Sequence, residues 1–418
     1  MLHIQLIKYI LYFLLFFGIM YAEPISIIGF ITIGQAWKIG LIGLLLIYFL
    51  KKINIRRPLF QKFVYFYSVK TLFNTNIFNN PKSNFYEFSR FLIFPLLFEY
   101  FRNKKKETIC TILLLLAQFC VLSSIPFHLG WLEPLRERSM IGFGFEDVFS
   151  SSGIFQGVHA AATSYSMAFL IIMFFTFIYR NEKSKTVFFT NKVYNIFLLA
   201  LAFYSLFLTF VRTGYIMCFL GLIVMLFCVK KESLWANMKL YSLLFIICIG
   251  LIFLVLSNEV LYARLFDQRI YGGDDVGSGR LLFWRNALNI WWNGNVIEFL
   301  FGVGFDNLTN YNLQTTGLPV FSHNQFLDAL AQNGIIGFFL YFMFIINLFV
   351  FIRKRKNSVF YSLAMALFTA YVLMDFFQGG IQFIAVVLFV LSLCLFSHNN
   401  VPQYLDNSNK RNNQKAIK

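Results

Sequence analysis

Arg212 stands alone in residues 197–228, FLLALAFYSLFLTFVRTGYIMCFLGLIVMLFC, a run without any other charge. An ionisable group in such surroundings is costly and commonly lines a functional cavity. The plainer account is a guanidinium that snorkels to the headgroups as an anchor. Thr213 and Gly214 permit a tight turn, so Arg212 is expected at the outer end of one helix and the start of the next. Further on, the stretch from Ser257 to Leu340 holds Arg264, Arg269, Arg280 and Arg285 and no lysine. The planar guanidinium fork meets phosphate oxygens in pairs. Arginines beside apolar runs therefore suit an anionic substrate carried on a lipid. His323 follows Ser322 where this stretch enters the next apolar run, and is expected on a first helical turn. Neutral imidazole can take a proton from a hydroxyl near pH 7, although a lone histidine also serves as a simple polar cap. His159, in SGIFQGVHAAA, holds a similar place at the start of its own span.

Other chemistries are not legible. The chain carries no HExxH, P-loop, DxD or paired-carboxylate pattern, and Asp274–Asp275 alone would make a poor metal site, so neither metal nor cofactor is expected. Cys110, Cys120, Cys218, Cys228, Cys248 and Cys394 lie inside apolar runs without ligand spacing and read as buried thiols, not disulfides.

The elements that must position these groups are membrane helices. Of 418 residues, 58% are hydrophobic and 13% charged, and continuous apolar runs of about twenty residues recur, each long enough for a hydrocarbon core of roughly 30 Å. The class is an all-α, polytopic membrane protein forming one integral domain over residues 1–418. The net charge of +17 does not point to nucleic acid, because the lysines cluster in short links between the runs. Placing those links in the cytoplasm gives spans near 4–21, 25–50, 59–78, 85–101, 108–127, 157–179, 193–211, 214–229, 239–257, 332–352, 358–377 and 380–397. That is about twelve helices with both termini inside and a basic cytoplasmic tail at 398–418. The first span lacks a small-x-small cleavage site and reads as a retained helix rather than a signal peptide. Lys38 falls near the middle of the second, and Lys62 with Lys70 makes the third equally suited to the interface.

Two loops then face outward. Residues 128–156 hold Arg136 and Arg138, and a large loop at 258–331 holds the other four arginines, again without lysine. A positive-inside bias would remove lysine from outer loops in any case, but six arginines remain as candidate substrate contacts. Within the large loop, Gly277–Ser278–Gly279 leads into a helical period that sets Leu281, Trp284, Leu288 and Trp291 on one face, with Ser278 a plausible cap. Such a helix would lie on the membrane surface with its tryptophans at the interface and Arg280 in its first turn, where guanidinium and backbone donors form an anion site. An ordinary interfacial helix meeting lipid phosphates would carry the same pattern.

In FVRTG at Arg212, GRLLFWRNALNI from Gly279, FLFGVGFDNL around Gly302 and SHNQFLDALAQNGIIGFFLYF from Ser322, the chain resembles the O-antigen ligase and polymerase family of bacterial envelope enzymes. SGIFQGVHAAA resembles the small-residue pattern that commonly precedes these motifs, and one departure is Gln332, where family members often carry an acidic residue. The resemblance implies inverting, metal-independent glycosyl transfer at the periplasmic face of the bacterial inner membrane, from an oligosaccharide on undecaprenyl diphosphate. It implies that Arg212 and Arg280 hold the diphosphate and that His323 is the base. Arg136, Arg138, His159, Arg264, Arg269 and Arg285 stay as further possible substrate contacts. The partners are that lipid-linked donor, membrane lipid and a chain-length regulator, with no nucleic acid. A polymerase, extending another lipid-linked repeat unit, is the first reading. A ligase, delivering the polymer to the lipid A core, is its alternative. A flippase for the same lipid-linked sugar is the reading from another class, disfavoured because no internal repeat is evident.

Overall fold

The computed structural model describes residues 26–28, 31–50, 57–76, 81–134, 137–139, 149–155, 157–179, 191–229, 242, 256–259, 262, 280–379 and 382–397. The expected span at 4–21, most of that at 239–257, the Gly277–Ser278–Gly279 lead, Asp274–Asp275, Cys248 and the basic tail lie outside the described residues. The chain is an all-α, multi-pass membrane protein. After a small hairpin, β1 (Ser26–Ile28) with β2 (Ile31–Thr32), come α1 (Ile33–Leu50), α2 (Leu59–Thr71), α3 (Pro81–Phe101) and α4 (Lys106–Leu122). A second hairpin, β3 (Glu137–Ser139) with β4 (Phe149–Ser151), precedes α5 (Val158–Met173), α6 (Lys192–Leu208) and α7 (Arg212–Cys228). The large loop holds α8 (Arg280–Trp292), α9 (Val296–Phe301) and α10 (Phe305–Thr316), and α11 (Gln325–Arg353), α12 (Tyr361–Phe377) and α13 (Phe383–Ser397) complete the bundle.

Backbone polar groups in hydrocarbon must be satisfied within their own segment, which makes an apolar run a helix. Among the described residues three helical stretches are long and apolar enough to cross a membrane, Lys106–His128, Val158–Ile178 and Gln325–Arg353, and several shorter apolar helices pack with them. Two spans differ from the sequence expectation. At 59–78 the helix is only 13 residues, roughly 20 Å at 1.5 Å per residue, too short to cross. It ends because Lys70 turns its ammonium onto the carbonyls of Phe73 and, across the chain, Phe301, at 2.7 and 2.9 Å. At 25–50 the hairpin delays the helix to Ile33, so Lys38 lies in its second turn rather than its middle, 5.8 Å from the ring centroid of Phe383.

Packing is organised on α13, which is buried along almost its whole length between α3, α4, α5 and α12. Aromatic rings continue this core. Tyr341 sits 5.0 Å from Tyr67 and 5.9 Å from Phe344, and Tyr371 stacks on Phe389 at 5.0 Å. Such pairs each add roughly 0.5–1.5 kcal/mol beyond area burial. The four fully described cysteine neighbourhoods at Cys110, Cys120, Cys218 and Cys394 are buried within helices, as read from the sequence, and Cys228 is half-buried.

The two ends of the bundle differ in charge. At one, Lys106 approaches the rings of Phe360 and Tyr179, Arg353 donates to the Tyr361 hydroxyl, and Glu99 pairs with Arg57 and Arg102. The start of α4, the end of α5 and the link from α11 to α12 therefore meet at this basic end. The starts of α5, α7 and α11 and the end of α12 gather at the other.

That second end is built on a broken helix. Gly334 in α11 has φ 65 and ψ −174, so the helical ladder stops there and resumes beyond it. The break frees the carbonyls of Ala331 and Gln332, which accept the backbone N–H groups of Val303 (2.9 Å) and Gly304 (3.0 Å). Contact is so close that a Cβ on Gly334 would lie 2.4 Å from the Leu300 carbonyl carbon, and one on Gly302 2.3 Å from Asn333 N. The FGVGF and QNGIIG motifs are thus two halves of one backbone joint that fastens the outer loop to α11.

Candidate active site

Gln378, the residue after α12, joins three elements. Its Nε2 donates to Thr213 Oγ1 at 2.9 Å, and its Oε1 lies 2.9 Å from Thr163 Oγ1. Its backbone carbonyl lies 3.1 Å from His323 Nδ1. Thr213 follows Arg212 at the start of α7. Thr163 lies one turn into α5 beyond His159, whose carbonyl shares the Thr163 proton at 2.9 Å. One buried carboxamide therefore ties together the neighbourhoods of His159, Arg212 and His323, which are far apart in sequence.

The contact to His323 fixes its tautomer. A carbonyl oxygen only accepts, so Nδ1 carries the proton and Nε2 is left with its lone pair. The ring lies among those of Phe321, Phe283 and His159, with centroids 5.3, 6.1 and 6.4 Å away. His323 has φ 58, a left-handed conformation that costs a non-glycine residue energy and is characteristic of functional sites. Gly379, itself at φ 59, passes so near that a Cβ there would meet His323 Cα at 2.8 Å.

The flanking residues hold this conformation. Asn324 is the N-cap of α11 and accepts from Phe326 N (3.0 Å) and Leu327 N (3.3 Å), so His323 sits just ahead of the cap rather than on the first turn. Ser322 Oγ bonds the backbone of Asn324, and Ser322 N donates to the buried Asp328 at 2.9 Å. Behind them, Arg90 of α3 pairs with Glu87 at 2.7 Å. In the segment SHNQ, serine and asparagine serve the backbone, while the imidazole is left to the site.

Arg212 opens α7, half-buried, after a turn at Thr209–Val211 in which Phe210 takes φ 50. The turn thus falls ahead of Thr213 and Gly214. Gly214 serves packing instead, because a Cβ there would lie 2.8 Å from Ala162 Cβ of α5. Arg280 opens α8, also half-buried, and Phe283 one turn later faces His323. The expected apolar stripe of α8 divides: Leu281 and Leu288 are exposed, whereas Trp284 packs on Phe376 and Trp291 stacks on Phe299. Aromatic area that the sequence assigns to the interface is spent on fixing α8 to α9 and α12. Arg285 lies on the exposed side of α8. The backbone of Arg138 is in β3, paired with Ser150. Arg136, Arg264 and Arg269 lie outside the described residues.

Sequence reasoning passed over Gln378, Thr163 and Asp375, and read Thr213 only as a turn residue. Asp375 is wholly buried in α12, one turn before Gln378, and accepts from the Tyr341 hydroxyl at 2.5 Å. The signal was available: YVLMDFFQGG sets an acid and an amide in an apolar span, the pattern that singled out Arg212. Among the described residues no group of three or more His, Cys, Asp or Glu could hold a metal ion.

Residues 197–342, from α6 through the large loop into α11, match the sequence family described as O-antigen ligase. Over that span the chain belongs to the O-antigen ligase family. No curated protein matches the chain. The family segment encloses Arg212, Arg280 and His323, while His159 and Gln378 reach the same site from outside it. Membership makes this a membrane enzyme of a family acting on lipid-linked sugar donors. The family's description also sides with the ligase reading over the polymerase reading placed first above.

Proposed function

We propose that the protein is an O-antigen ligase of the bacterial inner membrane, transferring a saccharide from undecaprenyl diphosphate to the lipid A core at the periplasmic face. The observation that carries this reading is the junction at Gln378, which gathers His323 with the helix starts of His159 and Arg212. With Nδ1 protonated, Nε2 carries the lone pair that a base needs. The acceptor hydroxyl gives its proton to Nε2 as its oxygen attacks the anomeric carbon. The bond from that carbon to the diphosphate oxygen breaks on the opposite face, inverting the centre. Charge then develops on the departing diphosphate. Arg212 and Arg280 each head a helix, so the positive end of the helix dipole adds to the guanidinium in favouring an anion there. Preorganised positive charge of this kind stabilises the transition state without reorganisation. The leaving group needs no further acid once its charge is met.

Lipopolysaccharide gels from a deletion strain complemented with variants test this. His323→Ala is expected to lower transfer by roughly 10²–10⁴-fold, the usual worth of a positioned base. Arg280→Ala is expected to abolish it, with membrane abundance unchanged in both. A bare core with accumulated lipid-linked polymer supports the ligase. A core bearing a single repeat would identify a polymerase instead, and full-length lipopolysaccharide from either variant would overturn the residue assignment.

A further inference from the structure

Beyond the histidine site, the outer loop forms an open cleft of about 460 Å³ between α8, α9 and α10, within the roughly 300–1,000 Å³ of small-ligand pockets. Its polar lining is unusual for this chain. Its lining carries the carboxamides of Asn289, Asn293, Asn307, Asn310 and Gln314, the carboxylate of Glu298 and the phenol of Tyr311, with Ile290 and Val303, and among the described residues no lysine or arginine lines it. The whole sequence holds 36 Lys and Arg against 19 Asp and Glu. Among the described residues the cleft presents an acid and no cation, a lining that disfavours phosphate and anionic lipid.

Two lining groups also brace the loop: Glu298 Oε2 accepts from Asn295 N at 2.9 Å in the cap of α9, and Asn307 Nδ2 donates to Val303 O at 2.9 Å. The other ties come from residues outside the lining. Asn286 Nδ2 donates to Asn312 (2.9 Å) and Thr315 (2.7 Å), Asn312 donates to Val320 O (2.7 Å), and Trp291 Nε1 donates to Phe299 O (3.1 Å). Loop amides are thus divided into two sets. Asn286 and Asn312 are buried and spent on joining helices, whereas Asn310 and Gln314 share the cleft-facing side of α10 with Tyr311, at helical spacing. Carboxamides offer paired donors and acceptors, the second oxygen of Glu298 accepts, and a tyrosine ring offers an apolar face and a hydroxyl. Together they complement a neutral, hydroxyl-rich ring.

We propose that this cleft is a saccharide-binding subsite that reads sugar hydroxyls, separate from the arginines that meet phosphate. It rests on the transfer reaction proposed above. Its position suits that role, because Phe283 packs edge-on to the His323 ring and Asn289 follows on the same helix, about 9 Å further along at 1.5 Å per residue, with Asn293 just beyond the helix end. A saccharide whose reacting end lies at His323 would run along α8 into the cleft.

Full-length protein in nanodiscs can be examined by saturation-transfer NMR with two probes: the O-polysaccharide and the core oligosaccharide, each freed from lipid by mild acid. Saturation of one or both saccharides is expected. Signal from the polysaccharide alone assigns the cleft to the donor, and from the core alone to the acceptor. Tyr311→Ala and the pair Asn293→Ala with Asn310→Ala should each weaken binding roughly tenfold and raise KM far more than they lower kcat, with melting unchanged. His323→Ala should keep the saccharide signal while losing transfer. Neither saccharide binding, or both cleft variants binding as the parent does, would overturn the subsite and leave the ligase reading standing. Transfer by His323→Ala would overturn that reading without touching the subsite.

Discussion

At the scale of single residues, the site depends on one carboxamide that touches no proposed reactant. Gln378 acts through others, its side chain on Thr163 and Thr213 and its carbonyl on His323. Gln378→Leu leaves the buried Thr213 hydroxyl without this partner, at about 1–3 kcal/mol for an unsatisfied group, and releases the α12 turn beneath the imidazole. The expected outcome is a fall of at least about tenfold in kcat with a shifted pH–rate profile, while Gln378→Asn restores part of the rate. A loss of abundance without any change in the profile of the remaining enzyme would make the residue merely structural. Deeper in the same helix, Tyr341→Phe strands Asp375, whose Oδ1 already lacks a hydrogen-bond partner. A lower melting temperature in detergent is expected, and Asp375→Asn in the same background should recover part of it, since a neutral amide costs less to bury than a carboxylate.

At the scale of elements, the decisive device is the break in α11. One helix of 29 residues supplies both the buried polar turn that carries Asp328, Gln332 and Asn333 and the apolar length that crosses the membrane. Gly334 separates them, and the freed carbonyls dock the outer loop through Val303 and Gly304. Gly334→Ala or Gly302→Ala would place a Cβ against backbone and force a positive φ on a side-chain-bearing residue. Both should be destabilised by several kcal/mol, about the largest class of single-residue effects, and read out as lost membrane abundance. Gly317→Ala is the control, because its Cβ would meet nothing within 4 Å. It should lose only the modest cost of its left-handed conformation, and abundance equal across all three would sink the joint as a structural feature.

At the scale of the whole molecule, charge and chemistry occupy opposite ends. Lys106, Arg353 and the Glu99 ion pairs lie at one, and His323, Arg212 and the outer loop at the other. Cysteines introduced at the exposed positions Asn293 and Lys356 test the orientation. An impermeant maleimide should label Asn293→Cys in intact spheroplasts and Lys356→Cys only after the membrane is opened. Labelling of Lys356→Cys first would reverse the proposed facing of the site.

The sequence by itself determined the class, the helix-forming runs, the lysine-rich end and the residues with unusual chemistry, because hydrocarbon length and the cost of a buried charge are local properties of a run. Arg212, Arg280 and His323 could therefore be chosen one by one. Only tertiary structure decided what they share. The meeting at Gln378 depends on the ends of α5, α7 and α12 arriving together, and a single amide in an apolar span carries no record of its partners. The short α2, ended by a lysine that reaches Phe301, and the break at Gly334, fitted to Gly302, were likewise closed to a linear reading. Each is a contact between segments distant in sequence, set by the distances at which two backbones can pass.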